Sequence, residues 1–193
     1  MEIEMKIPLK PKYSIDKIVT LLSKKFGAHS EEITQIDTYF TSPNHNFMKS
    51  DEALRLRQIL TESGEEKIEI TYKGPKQGKT MKIRDEITIE VSNIINAKRI
   101  LLNLGFQIFT KIKKKRMNWI QNNIIISFDR VEGLGLFLEI ETITTSEHSE
   151  EITKRKDKII HIVREVLPNW SGEDERRSYL ELLIEKQLKP KGI

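Results

Sequence analysis

The sequence predicts an α+β fold in which a large, mostly antiparallel sheet of eight strands closes into a barrel with a charged lumen and helices packed outside. Three observations lead there. Eight segments alternate with period two, turn residues separate them, and the alternation puts charge on one face of nearly every strand. The segments are residues 2–10, 35–41, 52–60, 67–73, 82–91, 106–120, 124–130 and 134–142. Between them stand Glu-Ser-Gly-Glu at 62–65, Gly74-Pro75 with Gly78, Gln-Asn-Asn at 121–123, and Gly133 with Gly135.

Helical patterns are fewer. Ser14 is placed to cap a helix carrying Ile15, Ile18, Val19, Leu22 and Phe26, closed by Gly27. Asn93 or Asn96 opens a second, which ends at Gly105. A third covers about residues 149–166, with Pro168 just beyond, and a fourth about 175–187, with Tyr179, Leu180, Leu183 and Ile184 on one side.

The chain has 193 residues, 37% hydrophobic and 32% charged, which suits one domain over 1–193 with a real core. No stretch approaches the roughly 20 apolar residues of a membrane span. The opening Met-Glu-Ile-Glu lacks the basic and apolar regions of a signal peptide. With no cysteine, disulfides, thiolate metal sites and cysteine nucleophiles are excluded together. These readings agree on a cytoplasmic protein. The net charge of +4 points to an anionic partner: nucleic acid, acidic lipid or a phosphorylated small molecule.

Parity sorts the strand side chains into two faces. Ile3, Met5 and Ile7 oppose Glu2, Glu4 and Lys6, and Asp37 travels with Tyr39. Leu54 and Leu56 oppose Arg55 and Arg57. Ile83, Ile87, Ile89 and Val91 oppose Lys82, Arg84, Glu86, Thr88 and Glu90, while Leu136, Leu138 and Ile140 oppose Glu139 and Glu141. One charged face per strand is what a half-solvated sheet gives. Eight such strands in one open sheet would expose edges, and closure removes them. The apolar faces then pack outward and the lumen is charged. Such a lumen is costly unless its charges pair or bind ligands, so it reads as a binding cavity.

Two sets of charges follow. Glu2 and Glu4 share a face of the first strand and Glu139 and Glu141 a face of the last, with Asp129 across the turn as a fifth carboxylate. Carboxylates so crowded repel unless cations neutralise them, and oxygen-only donors favour Mg²⁺ or Mn²⁺. The basic set is Lys6, Arg55, Arg57, Lys73, Lys82, Arg84, Lys114 and Arg116. Arginine forks grip phosphate oxygens and lysines add point charge, so both sets together suit a metal-bound polyphosphate. A stable nucleic-acid partner is disfavoured, because the carboxylates would repel a phosphate backbone and no DNA- or RNA-binding motif stands out. The four histidines show no metal spacing, and Gly133-Leu-Gly135 opens no helix. As a bare lumen cation, Arg57 is expected to be removable with the fold intact.

Glu-Ile-Glu-Met-Lys at 2–6 resembles the Glu-x-Glu-x-Lys signature of the CYTH superfamily, the triphosphate tunnel metalloenzymes. Leu-Arg-Leu-Arg at 54–57, Thr-Tyr-Lys-Gly-Pro at 71–75, Arg84-x-Glu86, Lys114-x-Arg116, Phe-Asp-x-Val-Glu-Gly-Leu-Gly at 128–135 and Glu-Ile-Glu at 139–141 follow in the family's order. Lys-Gly-Pro, Val-Glu-Gly-Leu-Gly and Arg-Ser-Tyr-Leu-Glu-Leu-Leu at 177–183 are most similar to the class IV adenylyl cyclase branch. The resemblance implies an eight-stranded tunnel with Mg²⁺ or Mn²⁺ held by Glu2, Glu4, Asp129, Glu139 and Glu141. It implies a nucleoside triphosphate or other triphosphate held by Lys6, Arg55, Arg57, Lys73, Arg84, Lys114 and Arg116, with Lys82 and Glu86 less firmly matched. Glu2, Glu4, Lys6, Arg57 and Asp129 would carry catalysis. The expected reaction is ATP to cyclic AMP and pyrophosphate. The alternatives are hydrolysis of tripolyphosphate or thiamine triphosphate, or a barrel that binds nucleotide or phosphate without catalysis, since one fold serves all of these. A homodimer is left open.

Overall fold

A computed structural model describes residues 2–77, 82–144 and 148–188 of the chain, apart from the Lys82 side chain. Within them the elements run β1 (Glu2–Pro8), α1 (Ile15–Phe26), β2 (Ile33–Thr41), α2 (Phe47–Ser50), β3 (Ala53–Thr61), β4 (Glu66–Lys73), β5 (Lys82–Arg84), β6 (Glu86–Glu90), α3 (Ile94–Asn103), β7 (Gln107–Gln121), β8 (Ile124–Val131), β9 (Gly135–Ile143), α4 (Ser149–Val166) and α5 (Tyr179–Leu188).

All strand pairs are antiparallel, in the order β5-β1-β9-β8-β7-β2-β3-β4-β6. The count of nine rather than eight has one cause. The alternating segment 82–91 breaks at Asp85, so that β5 pairs with β1 and β6 with β4. The two edges of the sheet are thus consecutive pieces of one chain, and the barrel closes through Asp85. Its carbonyl accepts a hydrogen bond from the Gly74 backbone N–H at 2.9 Å. At the β8–β9 turn Gly133 (φ 75°) and Gly135 (φ 110°) take backbone conformations that side-chain-bearing residues resist.

The outward apolar faces lie under helices over much of the barrel. Ile3, Met5, Ile7, Leu138 and Ile140 pack with Ile18 and Leu22 of α1 and with Ile159, Ile162 and Val163 of α4. Burying each such aliphatic side chain contributes about 1.5–3 kcal/mol. Ala97 and Leu101 of α3 cover Phe40, Leu54, Leu56 and Ile68. The cover is incomplete at β6, where Ile87 and Ile89 remain 64% and 56% exposed.

The α5 helix packs differently. Its Tyr179, Leu180 and Leu183 meet Tyr39, Ile112, Val131 and Phe137, which parity turns inward, and so one part of the lumen is apolar. At the caps, Asn93 rather than Asn96 opens α3, accepting from the Asn96 backbone N–H. Ser14 occupies the N-cap position of α1 without a side-chain bond. Among the described residues no helix is long and apolar enough to cross a membrane.

Candidate active site

A cavity of about 460 Å³ occupies the lumen. Lys6, Arg55, Arg57, Lys73, Arg84, Lys114 and Arg116 all line it, together with Glu2, Glu4, Glu139 and Glu141. Six strands deliver these side chains, each through the set of alternate residues that faces the lumen. The Lys82 backbone pairs opposite Glu4, but its side chain lies outside the described residues.

The acidic side forms where β1 meets β9. Their register sets Glu4 opposite Glu141 and Lys6 opposite Glu139, with Glu2 one step further along the same face. Burial, then the charges of Glu2 and Glu139, push the Glu141 carboxyl up to about 8. Glu139 goes the other way. Burial and Glu4 raise it, but Arg116, Lys114 and Lys6 outweigh them and hold it at about 2. Glu139 Oε2 is buried without a hydrogen bond, although Arg116 approaches it at 3.3 Å. Four crowded oxygen donors with surplus negative charge fit a hard divalent cation. Among the described residues no three acidic or histidine side chains form a ready-made cage, so bound cation would draw these carboxylates closer.

Each cation of the cavity faces a carboxylate, which offsets the cost of burying it. Arg57 holds Asp37 through two bonds of 2.6 and 2.7 Å, and Arg55 lies 3.7 Å from the same carboxylate. Against burial, Arg57 and then Arg55 hold Asp37 well below the usual carboxylate range. Lys73 pairs with Glu86 and stands 3.7 Å from Glu2. Arg84 reaches Asp51 at 3.2 Å. The Lys6 ammonium donates to the Arg177 carbonyl at 2.9 Å, faces Glu4 at 3.3 Å and lies 4.5 Å from the centre of the Tyr179 ring. Two donors are left over. Arg55 Nε and Arg84 Nε are buried in the described structure without a hydrogen-bond partner.

Asp129 is not among the residues lining the cavity. It is fully buried, receives Lys114 at 3.0 Å and both arms of Arg116, and accepts from the Tyr179 hydroxyl at 2.9 Å. With those partners its oxygens serve the cations rather than the Glu2–Glu4–Glu141 group. Asp37 and Tyr179 lie outside the candidate site residues that the sequence offers. Asp37 carried the signal of inward parity, but its partner follows only from the β2–β3 register. Tyr179 sits on a helix, where strand parity says nothing.

The fold and lumen define a nearly closed antiparallel barrel lined by paired charges, with a carboxylate cluster at one side. The CYTH domain model matches residues 1–179, and the chain belongs to the CYTH family. A protein of Methanocaldococcus jannaschii named "Putative adenylate cyclase" is 36% identical over 185 residues, spanning 94% of this chain and 98% of that one. A solved protein of Pyrococcus horikoshii OT3 is 35% identical with a TM-score of 0.83, covering 96% of this chain and 99% of its own. A Hippeastrum protein, described as a putative adenylyl cyclase with a dominant triphosphatase activity, shares the fold at 19% identity and a TM-score of 0.65, covering 98% of each chain.

Proposed function

We propose that this protein is a metal-dependent enzyme acting on a nucleoside triphosphate, converting ATP to cyclic AMP and pyrophosphate. One observation carries the triphosphate reading. Among the described residues, Arg55 Nε and Arg84 Nε are buried donors without partners, in the same cavity as four converging glutamates. Unpaired buried donors are expensive, and phosphate oxygens are the acceptors that guanidinium groups fit best. The cyclase reading draws on the Methanocaldococcus relative, whose similarity spans nearly the whole chain.

Lys6, Arg55, Arg57, Arg84, Lys114 and Arg116 would bind the triphosphate along the lumen. Mg²⁺ or Mn²⁺, held by Glu2, Glu4, Glu139 and Glu141, supplies positive charge to phosphate oxygens when bound. In cyclisation the ribose 3′-hydroxyl gives up its proton to solvent and its oxygen bonds to the α-phosphorus. The bond from that phosphorus to the bridging oxygen of the departing pyrophosphate breaks. Lys114 and Arg116 then stabilise the charge that develops on the departing pyrophosphate. Burial, then Arg116, push Lys114 down to about 8, so it holds a proton that it can share near neutral pH. Asp129 and Tyr179 fix the positions of both cations.

The test is product analysis with ATP, thiamine triphosphate and tripolyphosphate, each with Mg²⁺ and with Mn²⁺. Cyclic AMP and pyrophosphate from ATP are expected. Orthophosphate from tripolyphosphate with no cyclic AMP under either metal would replace cyclisation by hydrolysis and keep the binding assignments. Binding without any product would make the barrel a sensor.

A further inference from the structure

On the outer wall of the barrel the apolar rows run further than their helical cover. Strand pairing sets Ile108 opposite Phe40, Phe40 opposite Leu54, Leu54 opposite Tyr72 and Tyr72 opposite Ile87. The next row joins Leu56, Ile70 and Ile89. The α3 helix covers the middle of these rows and leaves Ile87 and Ile89 bare on one side and Ile108 on the other. The helix itself adds to the exposed surface. Its Ala97 and Leu101 face the barrel, so helical periodicity places Ile100 and Leu104 along one flank, Ile95 and Leu102 along the other, and Arg99 on top. Of the thirteen exposed large hydrophobic side chains among the described residues, these seven fall within 87–108.

Apolar side chains gathered on one face mark an interaction surface. We propose that two copies of this chain associate through α3 and the outer face of β6 as a two-fold dimer. Area, shape and charge all select a second copy as the occupant. The seven side chains are 40–67% exposed and together present on the order of 750 Å², close to the share that each partner gives to a standard interface. The shape is self-complementary, because a helix about 10 Å thick stands beside the uncovered strand β6. In a two-fold pair each helix enters the step beside the other. The charges match in the same arrangement. Lys98 and Arg99 are the only charged residues of α3, whereas the exposed Asp85 and Glu90 stand at the two ends of β6. The inner face of β6 presents Glu86 and Thr88 to the lumen, so the contact would back the cavity wall in each copy.

Sedimentation equilibrium of the whole chain over a range of concentrations tests this. The parent is expected at twice the chain mass. Ile87→Glu and Ile100→Glu should each raise the dimer dissociation constant about a hundredfold, because each puts a carboxylate into an apolar contact. Ile120→Glu alters a comparably exposed isoleucine near the far end of β7 and should remain dimeric. A second measurement keeps every apolar side chain. The chain has no cysteine, so Arg99→Cys carries a single nitroxide label, and dipolar coupling between two labels is expected in the pair. A parent that stays monomeric at every concentration overturns the proposal, as does labelled Arg99→Cys without coupling. Ile87→Glu and Ile100→Glu proteins that pair as tightly as the parent, or an Ile120→Glu protein that dissociates as readily as they do, overturn the assignment to this surface.

Discussion

Arg57 and Asp37 face each other across the β2–β3 pairing and are joined by two parallel hydrogen bonds, Nε to Oδ1 at 2.6 Å and Nη2 to Oδ2 at 2.7 Å. Asp37 is 3% exposed, so the pair is an internal strut of the barrel as well as part of its cavity wall. Arg57, and Arg55 beside it, are therefore held in place in the unliganded barrel, which would reduce the ordering cost of binding an anion there. It also means that Arg57 is not the dispensable lumen cation expected from parity alone.

Arg57→Ala should destabilise the fold by about 3 kcal/mol, because it leaves a buried carboxylate with only the more distant Arg55. Adding Asp37→Asn removes that stranded charge. The double variant should recover much of the stability while still binding triphosphate weakly. Urea denaturation of the three proteins checks this, and an unchanged midpoint in Arg57→Ala would refute the strut.

The same pair predicts acid sensitivity. Burial raises the Asp37 carboxyl, but Arg57 and Arg55 outweigh it and bring it below its ordinary value. A depressed carboxyl contributes stability that is fully present above the unfolded value of about 3.9 and fades as pH falls below it. Unfolding free energies of the parent and Asp37→Asn should therefore differ by a constant amount near neutrality and converge in acid. Curves that stay parallel down to the acid transition would count against the shift.

Much of this architecture can be read from alternation. The Leu-Arg-Leu-Arg of β3 and the Glu-Ile-Glu of β9 each declare an apolar outer face and a charged inner one, and the lumen residues follow. What parity lacks is register. It could not show that Asp37 meets Arg57, or that Asp129 pairs with Arg116 across β7–β8, because those partners depend on which strands neighbour each other. The break at Asp85 does leave a mark, since an aspartate stands on the apolar face between Ile83 and Ile87. Parity resumes beyond it, however, and only the two different partner strands show that the segment divides there. The role of Tyr179 depends on how a helix docks, which its own pattern does not specify.

Asp129 offers a direct contrast between holding cations and binding metal. Its oxygens are taken by Lys114, Arg116 and Tyr179. Asp129→Asn should lower stability by about 3 kcal/mol, since two buried cations lose a shared partner. It should weaken triphosphate binding by about tenfold through their displacement. Mn²⁺ binding, followed by paramagnetic resonance, should be nearly unchanged. Loss of Mn²⁺ affinity as large as that caused by Glu141→Gln would make Asp129 a ligand.

Glu141 lies opposite Glu4 and near Glu2 and Glu139, so it adds negative charge where there is already too much. That crowding sets two effects of Glu141→Gln in opposite directions. Without metal, the variant should be as stable as the parent or more so, because an amide of the same shape relieves repulsion. With Mn²⁺ or Mg²⁺ the order should reverse. Saturating cation stabilises the parent by mass action, about 2.7 kcal/mol at a hundredfold excess over Kd, whereas the variant has lost an anionic ligand and gains less. EDTA should return the parent to its metal-free melting temperature and abolish turnover. Melting curves of both proteins, with EDTA and with each cation, separate the alternatives. A variant less stable than the parent in EDTA would mean that Glu141 is a structural partner of the basic residues. A parent whose melting temperature ignores both cations, and which turns over in EDTA, would remove the metal from this site.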